Sequence, residues 1–109
     1  MTAGVLSIVR ELRQRRPDAW IVVQSLLPSK TVMPTVVDSV NQAIRCLTDS
    51  TKKAFYYNSS NVFMLPGTDV INASRFVPDG IHPNAEGAQA WAKSMLNFLR
   101  RLYVVRYYQ

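Results

Sequence analysis

The sequence predicts an α/β domain in which helices flank a short parallel sheet. Three observations carry this. Apolar periodicity changes along the chain in the order helix, strand, helix, strand, helix, the alternation that builds layered α/β folds. The first strand is a nearly continuous apolar run, Trp20-Ile21-Val22-Val23, the pattern of a parallel strand covered on both faces. A helix-sized segment separates the two strands, which is what a parallel, right-handed crossover requires.

Residues 3 to 16 read as the first helix. Val5, Ile8, Val9 and Leu12 recur at helical spacing, with Arg10, Glu11, Arg13 and Gln14 on the other side. Pro17-Asp18 ends it. Residues 19 to 25 read as a strand, and Pro28 to Pro34 as a loop. Thr35 is placed to cap the next helix, with Asp38 favouring its N-terminus. Val36, Val37, Val40, Ile44 and Leu47 give that helix its apolar stripe, and residues 49 to 53 break the pattern. Ala54 to Tyr57 is either a short strand or an extended approach. Asn58-Ser59-Ser60 turns the chain, and Asn61 to Leu65 reads as the second strand. A long connection over residues 66 to 82 follows, of a length often functional inside compact domains. The last helix starts near Pro83 or Asn84, with Ala88, Trp91, Met95, Leu99 and Leu102 along one face. Its end is open, because the segment from Tyr103 to Tyr108 can continue the helix, extend or fray.

A chain of 109 residues allows one domain, 1–109, with a modest core. Its 48% hydrophobic content argues against disorder. No apolar run is long enough to span a membrane, and no secretory signal is visible at the start. Cys46 is the one cysteine and His82 the one histidine, so neither an internal disulfide nor a metal site is expected. Within its helix, Cys46 reads as a buried, inert thiol. Asn58 and Asn72 open N-x-S/T sequons, which matter only in a secretory setting. The compartment stays open. Net charge is +6. Arg10, Arg13, Arg15 and Arg16 crowd one helix end and Arg100, Arg101 and Arg106 the C-terminus, where positive charge complements the helix macrodipole. Nucleic-acid binding is the sharper reading of a basic chain, but no nucleic-acid motif accompanies the charge, so nucleic acid is not the expected partner.

The stretch Asp79-Gly80-Ile81-His82-Pro83-Asn84-Ala85-Glu86-Gly87 carries the chemistry. Asp79 precedes His82 by three residues across a turn-permitting glycine. At that spacing the carboxylate can reach one ring nitrogen and fix the tautomer, leaving the other nitrogen free to take a proton. The plainer alternatives are a structural histidine near a helix start and an aspartate that only forms a turn. Ser25, at the carboxyl end of the first strand, is a second place to look for a nucleophile. Its neighbours Gln24 and Leu26 form no nucleophile elbow, so it reads as a strand-closing residue. Trp91 and Met95 read as core.

The same stretch resembles the C-terminal D-x-x-H-P block of the SGNH (GDSL-type) hydrolases. The strand from Trp20 to Ser25, the helix containing Asn41 and a strand ending in Val62-Phe63 precede it in the family's order. No Gly-Asp-Ser nucleophile block and no Gly-x-Asn-Asp block occurs here. Gly67-Thr68-Asp69 lacks the asparagine and lies on the wrong side of the second strand. The resemblance implies the C-terminal part of a flavodoxin-like, three-layer domain with a bare, apolar sheet edge through which copies could associate. It implies that His82 is the counterpart of the catalytic base and Asp79 of its orienter. It also implies a small-molecule, lipid or carbohydrate ester as substrate of the complete enzyme, with no cofactor. With neither nucleophile nor oxyanion block, the chain alone is expected to be inactive. The alternative is a non-catalytic interaction module on the same scaffold.

Overall fold

The structure is a computed structural model and describes residues 2–107. Helix α1 (Thr2–Arg15) leads into strand β1 (Ile21–Gln24), helix α2 (Pro34–Ser50), strand β2 (Ala54–Tyr57), two 3-10 turns (Ser60–Phe63 and Ala73–Arg75) and helix α3 (Ala85–Tyr107). β1 and β2 are parallel, in register from Ile21 opposite Ala54 to Gln24 opposite Tyr57. α2 is the crossover between them. The fold class is therefore the α/β arrangement expected, a short parallel sheet with flanking helices.

The second strand is not where the apolar run pointed. Residues 61 to 65 were expected to pair with β1, but Ala54–Tyr57 does so and Ser60–Phe63 is a 3-10 turn. Side chains at the turn explain the difference. Asn58 Oδ1 accepts from the Ser60 amide at 3.2 Å and the Ser60 hydroxyl at 2.6 Å. Ser25 Oγ accepts from the amides of Ser59 and Ser60 at 3.0 and 3.2 Å. These bonds curl the chain at the moment it leaves the sheet, the usual competition between short polar side chains and a strand ladder. Phe63 then drops into the core, fully buried, against Phe76 and edge-on to Trp91. The aromatic run Phe55-Tyr56-Tyr57 supplies the bulky residues that suit a pleated surface. Phe55 meets Trp20, Arg45 lies over Tyr56, and Tyr57 packs on Phe98.

Four smaller expectations also shift. β1 is shorter than 19 to 25, because Ala19 still donates to Arg16 O in the turn and Trp20 stands 42% exposed outside the strand. Thr35 does not cap α2. Pro34 occupies the first turn, where its missing N–H costs nothing, and Val36 and Val37 donate to Met33 O. Cys46 is exposed rather than buried. It lies two residues, about 200°, beyond the buried Ile44 and so faces away from the core. On α3, Leu99 is 42% exposed; Gly87 is buried, and Trp91, Ser94, Met95, Phe98 and Leu102 are half-buried. Around a 3.6-residue helix Phe98 and Leu102 lie within about 20° of Trp91, whereas Leu99 lies about 80° away and turns out to solvent. Tyr108, the last residue of the segment whose course the sequence leaves open, lies outside the described residues, as does Gln109.

The core consists of Val9, Ile21, Val37, Ile44, Tyr57, Phe63 and Phe76. Among the described residues no further strand joins the sheet, so β1 and β2 each have an unpaired outer edge. No described helix is long and apolar enough to cross a membrane.

Candidate active site

The turn that carries Asp79 and His82 is closed by its own backbone. Gly80 N donates to Val77 O at 3.0 Å, and Val77 N donates to His82 O at 2.9 Å. Gly80 has φ +70°, a conformation that glycine adopts without steric cost. It is buried under Lys30, whose amide donates to Gly80 O at 3.1 Å and whose side-chain carbons fill the space a Cβ would take. The loop after β1 thus clamps the turn from above.

From below the turn is tied to α3 by Asn84. Its Oδ1 accepts from Gly87 N at 2.9 Å and caps the helix. Its Nδ2 donates to Ser74 O and Phe76 O at 2.8 and 3.2 Å, and its amide donates to Arg75 O at 3.1 Å. Gly87 lets the helix approach this strap, since a Cβ there would lie 2.1 Å from Arg75 O. The sequence marks Asn84 only as part of the Asp79–Gly87 stretch and a possible helix start, and gives Lys30 no place at the site. Asn84 had a legible signal, a capping residue after a proline at a helix start. Lys30 had none, because its contact depends on a loop fifty residues away.

Within the clamped turn, Asp79 Oδ1 accepts from the amides of Ile81 and His82 at 2.8 and 3.0 Å, and Oδ2 lies 2.6 Å from His82 Nδ1. The hydrogen bond with the imidazole, then those from the two amides, lowers the Asp79 pKa from 3.8 to about 2. An ionised carboxylate can only accept, so it selects the tautomer with the proton on Nδ1. The His82 side chain is 74% exposed, and no described residue hydrogen-bonds Nε2. That atom is thus open to accept a proton from a group presented to it.

Ser25 is not brought to His82. It is 6% exposed. Its Oγ is occupied by the amides of Ser59 and Ser60 and lies 3.1 Å from Ser59 Oγ. It ties β1 to the chain leaving β2. Asn41 does similar work one residue later, accepting from Leu26 N at 2.7 Å and donating to Leu26 O at 3.4 Å. Gly67-Thr68-Asp69 forms the tip of a small hairpin, with Gly67 at φ +71° and Met64 bridging Ile71. The described residues hold no group of three or more His, Cys, Asp or Glu side chains arranged for a metal ion.

No family model and no curated protein matches the sequence. Solved structures do match in shape. A Streptococcus pneumonia protein provisionally named a platelet activating factor superposes with TM-score 0.77 at 18% identity, over 90% of this chain and 50% of its own. The esterase domain of the zebrafish ZfL2-1 retrotransposon ORF1 protein gives 0.72 at 22% identity, over 91% and 56%. A carbohydrate esterase family 3 protein from Talaromyces cellulolyticus gives 0.71 at 20% identity, over 93% and 47%. The chain spans about half the length of each of these structures. At such identities the likeness is one of fold alone: a parallel sheet with flanking helices, here two strands wide.

Proposed function

We propose that this chain is the C-terminal portion of an SGNH-type serine hydrolase acting on carboxylic esters, with His82 as the general base and Asp79 as its orienter. The observation that carries the reading is the 2.6 Å contact between Asp79 Oδ2 and His82 Nδ1 on an exposed turn. In the complete enzyme a serine attacks the ester carbonyl. His82 Nε2 takes the serine proton and returns it to the leaving alcohol, while Asp79 stabilises the imidazolium between those steps. The likeness of fold to an esterase domain and a carbohydrate esterase supports this reading.

The 109 residues supply the base and its orienter but no Gly-Asp-Ser nucleophile and no oxyanion block. Hydrolysis needs all of these. The isolated chain should therefore give no turnover of short-chain nitrophenyl esters above buffer, and turnover that vanishes in His82→Ala would contradict that. The wider reading is tested on the transcript. A longer product with both missing blocks in frame upstream of Met1 should hydrolyse such esters and lose on the order of a million-fold in kcat with His82→Ala. Full activity in that variant would refute the role of His82. A second reading, a non-catalytic interaction module, is favoured by one observation: the unpaired outer edge of β1.

A further inference from the structure

The basic residues near the C-terminus have a different setting from the one the sequence suggested. α3 runs to Tyr107, so Arg100 lies about two turns before its end and Lys93 farther still. Macrodipole complementation fades within the last turn and accounts for neither. Both instead line a groove of about 660 Å³ with Arg101 and, from the second 3-10 turn, Arg75. Val62, Ala90, Ser94 and Asn97 complete its lining, and no carboxylate is among the lining residues. None of Lys93, Arg100 and Arg101 forms an ion pair with a described residue. Arg75 is fixed in place by donating from Nη1 to Val62 O. The Ser94 hydroxyl accepts from Tyr57 OH at 2.7 Å, which leaves its own proton to donate.

We propose that this groove binds the phosphodiester backbone of a nucleic-acid duplex, independently of any ester chemistry. Four cations line the groove with no carboxylate among its lining residues, a setting that attracts an anion. The space is several times larger than one phosphate, and from Lys93 to Arg101 the helix rises about 12 Å, so an extended ligand with repeated charges fits better than a single ion. Arg, Lys, Ser and Asn are the side chains that contact backbone phosphates. No aromatic ring lines the groove. Single-strand binders depend on such rings to stack bases, so the lining favours a duplex read through its backbone, without sequence preference.

The test is fluorescence anisotropy of the full 109-residue chain with a labelled DNA duplex of about 20 base pairs, titrated between about 50 and 200 mM salt. Four neutralised phosphates give a slope of log K against log salt of about −3.6. Lys93→Gln with Arg101→Gln should reduce its magnitude by about 1.8. The control, Arg10→Gln with Arg16→Gln, removes the same charge from exposed positions on and just beyond α1 and should leave the slope within error. Circular dichroism confirms that both variants fold. An equal loss in both variants would show only net charge at work and overturn the proposal. So would no binding, or tighter binding of a single strand or a heparin oligosaccharide than of the duplex.

Discussion

Three hydrogen bonds converge on the Asp79 carboxylate, one with the His82 ring and two from the Ile81 and His82 amides. They favour the charged form, so the folded pKa of about 2 lies below the ordinary 3.8. The sign follows from linkage. The contacts support the folded turn above pH 3.8, and this support is lost as pH falls through about 2. A carbon-13 titration of the Asp79 carboxyl should show its midpoint near 2, and a midpoint near 4 would mean that the contact is absent in solution. Gly80 is the other residue whose identity the turn dictates. Alanine there meets both the positive φ and the Lys30 side chain, with carbons as close as 2.3 Å to the new Cβ. Gly80→Ala should lower stability by about 1–3 kcal/mol in urea unfolding, and pairing it with Lys30→Ala should recover part of the loss.

At the scale of elements, the chain leaving β2 is decided by hydroxyls and amides rather than by its apolar run. Ser25 Oγ holds the Ser59 and Ser60 amides, and both serines Ser25 and Ser59 are buried. Ser25→Ala leaves two amides without that acceptor. It should cost about 1–3 kcal/mol in chemical denaturation, while leaving unchanged the ester hydrolysis proposed for a longer product. A silent effect on stability together with loss of hydrolysis would return Ser25 to the nucleophile question. Asn61 to Leu65 read as a strand because its four successive apolar residues from Val62 fit a buried strand as well as a buried turn. The Asn58 and Ser60 side chains that choose between them act locally, and their bonds are a recognisable Asx turn.

For the whole molecule, the sheet is two strands wide and the chain corresponds to about half of the three similar structures named above. The Ile21 and Ser25 amides donate toward β2, to Lys53 O and Tyr57 O at 2.9 Å each. In a parallel ladder the intervening Val22 and Gln24 then face the other edge. Such an edge invites another strand. We expect sedimentation equilibrium to show concentration-dependent dimerisation of the isolated chain. Val22→Pro removes an outward amide and no ladder bond, so it should give a monomer with unchanged circular dichroism. A variant that dimerises as before would place the contact elsewhere.

The sequence alone determined the order of helices and strands, the parallel crossover and the pairing of Asp79 with His82, because each rests on local periodicity or on residues three apart. It also located the start of α3 through Pro83 and Asn84. It did not determine which segment pairs with β1, since residues 54–57 and 61–65 are equally able to extend and the bonds from Ser25 to Ser59 and Ser60 cross more than thirty residues. Nor did it reveal that Lys30 roofs Gly80 or that Arg75 joins the cations of α3. Those contacts link residues far apart in the chain, and only the packing of the loop after β1 and of the strap before α3 brings them together.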